Sequence, residues 1–150
     1  MLRPTPVQKR RPTPRRRLAG CPKRLCRRRP YRRGEAKELC RTHIIAAIDR
    51  AVRARVLARD GRCQVEGRAH VGGLQWAHGI RRGRMLTRWQ PDNSWALCAG
   101  CHTFMANRPE AWTAWMMKRL SEERYGELLA FSLRDLDVDL VADWKQHVGA

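Results

Sequence analysis

The sequence predicts a mainly helical α+β protein: a long helix, a two-stranded hairpin running into a short helix, then two or three further helices. Three observations carry this. Ile44, Ile48, Val52 and Val56 recur every fourth position, the spacing that lines one face of an α-helix. Two short apolar runs, residues 74–80 and 94–97, flank a basic, turn-rich connection and end at Cys98-x-x-Cys101, which reads as a hairpin closing on a knuckle. Beyond Pro109, Trp and Met residues fall at helical spacing, with Ser121 and an Asp-rich stretch suited to helix N-caps.

Taken in order, residues 1–20 hold four prolines and seven basic residues. They offer too little apolar surface to offset ordering entropy and read as a disordered basic arm. Residues 21–43 stay basic and form a candidate zinc knuckle. Residues 35–59 make the long helix, with Ile45 and Ala51 widening the apolar stripe and Arg41, Arg50, Arg53 and Arg59 mostly off it. Asp60-Gly61 stops it, because glycine readily takes the left-handed conformation past a helix end. Residues 60–108 form the central unit: a polar loop with Cys63, Glu66 and His70, a strand, a basic connection over 79–88, a returning strand, and a helix starting near Cys101. Residues 109–150 are a helical extension. Pro109-Glu110 suits a first helical turn, Ser121 an N-cap, and Asp137 or Asp139 the cap of a last helix whose Val141, Trp144 and Val148 face inward. The expected core is Ile44, Ile48, Val52, Trp95, Leu97, Trp112, Trp115, Leu128 and Trp144.

At 150 residues there is room for one compact domain and a tail. The net charge of +18 is unevenly spread: residues 1–33 carry 14 Lys or Arg and no acid, whereas residues 109–150 carry 5 basic and 8 acidic residues. The basic portion is expected to bind a polyanion through counterion release, and the acidic C-terminal helices offer a surface for a protein partner. The basic N-terminus lacks the apolar stretch of a secretory signal, and no run approaches the roughly 20 apolar residues of a membrane helix. The expected compartment is therefore the cytosol. There the six cysteines, some at short spacing, read as metal ligands rather than disulfides.

The chemistry concentrates in residues 74–102, LQWAHGIRRGRMLTRWQPDNSWALCAGCH. His78 ends an apolar run, where a strand entering a turn would present it to a groove. An imidazole titrating near pH ~6.5 takes a proton from water at neutral pH, which fits a general base. Asn93 sits in the turn-rich Gln90-Pro91-Asp92-Asn93; its carbonyl either ligates a metal or fixes the loop against the His78 backbone. His102 directly follows Cys101. If Cys98 and Cys101 face a structural zinc, the next helical residue points elsewhere, as a ligand to a second, catalytic divalent ion would. Arg81, Arg82, Arg84 and Arg88 lie between His78 and Asn93 as candidate phosphate clamps.

This order of His78, Asn93 and His102 beside a CxxC resembles the His-Asn-His (HNH) nucleases. The segments RDGRC, LQWAH, RWQPDN and LCAGCH look most like small phage HNH proteins, including NinG-type recombination nucleases. The resemblance spans roughly residues 57–108. It implies a ββα-metal fold and metal-dependent hydrolysis of DNA, branched or nicked forms included, in a bacterial or phage-infected cytosol. His78 would be the base, and Mg²⁺ or Mn²⁺ would sit at His102 and Asn93. The products would be a 5′-phosphate and a 3′-hydroxyl. In many such enzymes the residue before the catalytic histidine is an acid or a second histidine acting as a metal ligand; here it is Ala77.

One or two zinc sites are expected, the second set being either a zinc knuckle or free cysteines in a basic stretch. Cys98 and Cys101 supply half of a tetrahedral site. The upstream half is Cys63-Gln-Val-Glu66, so the fourth ligand is either Glu66 or His70, or the site is metal-free and held by apolar packing. The second set is Cys21, Cys26, Cys40 and His43 in the spacing C-x4-C-x13-C-x2-H, which would order part of the basic arm on binding zinc.

Three functions remain open from the residues alone: an endonuclease, a non-enzymatic zinc-stabilised nucleic-acid-binding protein favoured by Ala77 and Glu66, and an RNA-directed protein. Stacking platforms would favour single strands or RNA, and of the tryptophans only Trp76 and Trp89 lie beside the motif.

Overall fold

Four apolar side chains spaced by four residues decide the first element. Ile44, Ile48, Val52 and Val56 are all buried along one side of α1 (Arg41–Asp60). The helix closes at Gly61, whose φ of +62° is left-handed and whose N–H returns to Leu57 O. The computed structural model describes residues 39–149, so the expected basic arm, Cys21 and Cys26 lie outside the described residues, whereas α1 starts at Arg41 rather than at the expected residue 35. Cys40 is extended and serves as the N-cap of α1.

The hairpin follows. Strands β1 (Leu74–His78) and β2 (Ser94–Cys98) pair antiparallel, from Leu74 opposite Cys98 to His78 opposite Ser94. β1 stops two residues before the end of its apolar run because Gly79 and Ile80 turn to Asn93: Gly79 N–H donates to the Asn93 backbone carbonyl, and Ile80 bonds the Asn93 side chain. Gly79 is also tightly covered, since a Cβ there would run into the Met116 thioether. The helix α2 (Ala99–Ala106) starts without an intervening residue. Cys98 ends the strand and also caps the helix, its Sγ accepting from Cys101 N–H at 3.4 Å.

Three helices complete the fold: α3 (Pro109–Leu120), α4 (Glu122–Ser132) and α5 (Leu140–His147). Ser121 caps α4 by accepting from Arg124 N–H, and Asp139, rather than Asp137, caps α5 by accepting from Val141 and Ala142 N–H. The chain is thus α+β and mostly helical, with the expected long helix, hairpin and three following helices. No helix among the described residues is long and apolar enough to cross a membrane.

Apolar side chains gather in two clusters. One joins Ala77, Leu97, Met105, Trp112, Met116 and Leu128 from the hairpin and α2–α4; the other joins the α1 stripe to Trp89 and Leu140. Trp95, Trp115 and Trp144, expected in the core, are only partly buried at its edges. Their rings are large and amphipathic. Trp95 meets Trp115 edge-on at 5.2 Å, with the Arg59 and Arg119 guanidiniums 5.5 and 5.2 Å from its centroid, so each ring is shared between core and cation.

The end of α1 also closes the outer edge of β2. Asp60 Oδ2 accepts from Ala96 N–H at 2.7 Å, Gln64 N–H donates to Ala96 O at 2.9 Å, and Arg59 donates to Ser94 O at 2.6 Å. The Asp60 side chain is only 7% exposed, so truncating it orphans a buried N–H. Asp60→Ala is expected to lower the unfolding free energy by about 1–3 kcal/mol. Urea unfolding checks this, with Asp60→Asn, which keeps an acceptor, losing less.

Candidate functional site

The polar loop from Arg62 to Gly73 has a single buried residue, Val65, and little packing to hold it. It nevertheless brings Cys63 and His70 to Cys98 and Cys101 at the strand–helix junction. The ligand atoms of these four residues all lie within 4.8 Å of one another. His70 Nδ1 is 3.8 Å from both Cys98 Sγ and Cys101 Sγ. A tetrahedral ion with Zn–S ~2.3 Å and Zn–N ~2.05 Å requires an S–N edge of about 3.6 Å, so this Cys₃His set could hold a metal ion such as zinc. Glu66 is not part of it. Its side chain is 80% exposed and faces Arg119 at 4.0 Å, so the choice between Glu66 and His70 falls on His70, whose softer nitrogen joins three sulfurs. The two buried thiols are electrostatically unlike. Burial opposes ionisation of Cys98, but the N–H groups of Cys101 and Val71 and the His70 ring bring it down to about 6. Cys101, buried against Cys98 and Cys63, is pushed up to about 12.

Of the N-terminal set, Cys40 is buried with its Sγ 3.2 Å from His43 Nδ1, the proximity a CxxH half-site produces on a first helical turn. Cys21 and Cys26 lie outside the described residues.

On another side of α2, a cleft of about 360 Å³ is lined by His78, Arg81, His102, Thr113 and Tyr125 among others. Both sequence-expected histidines open onto it, one from the end of β1 and one from the first turns of α2. Each ring is fixed through one nitrogen. His78 Nε2 donates to Arg88 O at 3.2 Å; a carbonyl only accepts, so the proton sits on Nε2 and the Nδ1 lone pair stays open. His102 is the mirror case. Its Nδ1 donates to Gln75 Oε1 at 2.7 Å, leaving the Nε2 lone pair. Burial, then the charges of Arg82 and Arg88, lower the His78 pKa to about 4 against the weaker pull of its Arg88 carbonyl bond and Asp49. Burial lowers His102 as well. Trp76 lies against His78, ring centroids 4.2 Å apart.

Asn93 differs from its expected metal-ligand role. It is fully buried, its Oδ1 accepts from Ile80 N–H, and its Nδ2 donates to Ile80 O at 3.1 Å and Thr87 O at 2.9 Å. The side chain is occupied in bracing the loop, the alternative the sequence left open, and is shielded from any ion in the cleft. Arg88 likewise differs from a free phosphate clamp, because Asp49 holds its guanidinium through Nε at 2.9 Å and Nη2 at 2.6 Å. Arg81, Arg82 and Arg84 are exposed. Trp89 is buried with its Nε1–H on Asp49, which removes it as a stacking platform.

Asp49 and Gln75 support the site, yet Asp49 stands in no motif and Gln75, though inside LQWAH, is not singled out by it. The one sign of Asp49 is that it is the sole acid within the arginine-rich stretch from Cys40 to Arg59. Gln75 carries none, since its role depends on the hairpin register against α2.

Two outcomes follow. Zinc content measured on purified protein is expected to drop by about one equivalent per chain in Cys98→Ser, with a marked loss of thermal stability, because the ion ties a loop that packing does not. Acid sensitivity follows from His78. Its folded pKa of about 4 lies below the ordinary 6.5, so between those values the unfolded chain takes up a proton that the native ring refuses. The stability is complete above pH ~6.5 and is lost as pH falls through about 4. His78→Gln, which can still donate to Arg88 O, is expected to lose less stability than the parent between pH 7.5 and 5 in urea titrations.

Compared with known proteins, the chain matches no family model, no curated protein and no solved structure.

Proposed function

We propose that this chain is a metal-dependent endonuclease of the HNH type that hydrolyses DNA phosphodiester bonds, with a Cys₃His zinc as its structural clamp. The observation that carries the reading is that His78 and His102 line one cleft with complementary free nitrogens. In this mechanism His78 Nδ1 takes the proton of a water. The water oxygen forms the new bond to phosphorus, and the bond from phosphorus to the 3′-oxygen breaks. That oxygen leaves as the 3′-hydroxyl after protonation from solvent, and the phosphate stays on the 5′ side. Arg81, in the cleft, and Arg82, close enough to depress His78, neutralise phosphate charge. His102 Nε2 would hold the divalent ion, Mg²⁺ or Mn²⁺, which when bound stabilises charge on the non-bridging and leaving oxygens. With Asn93 committed to the loop and Ala77 lacking a donor, His102 is the histidine left to serve. Substrate oxygens and waters would supply the remaining ligands, which suits Mg²⁺, an ion that keeps several waters.

A second reading, a zinc-stabilised DNA-binding protein without catalysis, is favoured by Ala77, buried and apolar where a ligand would strengthen the site. Relaxation of supercoiled plasmid in Mg²⁺ or Mn²⁺ separates the two. The parent is expected to nick DNA, and His78→Ala to be slower by about 10²- to 10⁴-fold, the usual worth of a general base. Equal nicking by both removes His78 as the base. Binding without nicking of any DNA form selects the second reading, and nicking of RNA in preference to DNA changes the substrate class.

A further inference from the structure

We propose that Asp49, on α1 and outside the cleft, is the positioning residue for His78; this rests on the nuclease reading of that cleft. Asp49 Oδ1 accepts from Arg88 Nε and from Trp89 Nε1, both at 2.9 Å, and its Oδ2 accepts from Arg88 Nη2 at 2.6 Å. The remaining Arg88 nitrogen, Nη1, donates to Arg82 O at 3.0 Å. The guanidinium is thereby fixed at three nitrogens, and the pair is well shielded, with side chains 13% and 22% exposed. The backbone carbonyl of this same Arg88 is the acceptor for His78 Nε2–H. One carboxylate on the long helix thus sets the residue whose main chain sets the histidine.

The arrangement is more specific than packing requires. α1 already meets this region through Ile48 and Val52, in one cluster with Trp89, and an apolar residue at position 49 would serve adhesion as well as a partly buried ion pair does, without the desolvation cost. A bidentate fork differs from an apolar contact in fixing orientation. Here the oriented group is a carbonyl, and what depends on its direction is the tautomer of an imidazole. With Arg88 O in place the proton stays on Nε2 and the lone pair on Nδ1. With the carbonyl displaced, the ring is free to carry its proton on either nitrogen, and the form with a protonated Nδ1 cannot take a proton from water through that atom.

The test uses the full zinc-loaded chain. Histidine ¹⁵N NMR at pH 7.5 reads the His78 tautomer, and plasmid nicking at varied DNA concentration separates turnover from half-saturation. Asp49→Asn keeps the size and loses the bidentate charge. It is expected to convert His78 from the Nε2–H form to a mixture and to slow turnover by about 10- to 100-fold, with half-saturating DNA unchanged. Arg88→Lys, which keeps the charge and loses the fork, is expected to do the same. An Asp49→Asn protein with parental near-UV circular dichroism, His78 wholly in the Nε2–H form and parental turnover overturns the proposal. Should that variant not fold, the same result for Arg88→Lys overturns it. If the parent nicks no DNA, the nuclease reading fails on its own, while the tautomer measurement still decides whether Asp49 positions His78.

Discussion

The connection between the two strands runs from Gly79 to Asn93 and carries Arg81, Arg82, Arg84 and Arg88, a density of like charge that repels itself and favours no regular ladder. The constraint that gives it one shape is the buried carboxamide of Asn93. By accepting from Ile80 N–H and donating to Ile80 O and Thr87 O, it joins both ends of the connection to its middle. A buried amide so satisfied is rigid, whereas a half-satisfied one is costly, so the loop has little freedom between this state and unfolding. Arg88 O, and with it the His78 ring, inherits its place from that brace. Asp49 adds the second anchor from α1. The cleft is therefore walled on one side by an arginine-rich loop whose Ile80 and Trp89 reach into the two apolar clusters and whose backbone is joined by the hydrogen bonds of Asn93.

The same logic recurs on another side of α2, with a different binder. The segment before β1 is nearly all exposed, and its Cys63 and His70 meet the buried Cys98 and Cys101 at the edge of the first apolar cluster. Cys98 joins the two functions physically. It ends β2, caps α2 and belongs to the Cys₃His set, so a clamp there fixes the start of the helix that carries His102. An ion held by this set would lie within one helical turn of His102 along the backbone.

Much of this was readable from residue order because the signals are local. The α1 stripe, the Ser121 and Asp139 caps, and the CxxCH junction each rest on spacings of four residues or fewer, and each lies in the element it points to, although α1 starts at Arg41 rather than residue 35. What local pattern does not contain is which partner a polar group finds across the fold. Asn93 was read for its chemistry, but three backbone partners bury it. The charge and place of Arg88 suit a phosphate ligand, and nothing local connects it to Asp49, some forty residues earlier. Glu66 stands at the spacing of a ligand, but the loop brings the exposed His70, not Glu66, to the thiols. Periodicity points Trp115 and Trp144 into the core, but it does not report that arginines share the faces of Trp95 and Trp115 or that Trp144 stays at the edge of its cluster.

The two histidines express what the whole arrangement achieves. A base that accepts a proton and a ligand that donates a lone pair both need a neutral imidazole with one defined nitrogen left open. Here a carbonyl holds His78 at Nε2 and an amide oxygen holds His102 at Nδ1, while burial lowers both pKa values. Partial burial alone would keep the rings neutral but leave their tautomers undecided; hydrogen bonds alone would orient them without resisting protonation in mild acid. An acid beside His78, in the place Ala77 holds, would add a metal ligand, but its charge would also favour the imidazolium. The buried alanine leaves the proposed base neutral across the physiological range and shifts the burden of holding an ion to His102 and the phosphate itself. Under the proposed function the ion is then held chiefly when nucleic acid is present, which ties assembly of the site to substrate binding.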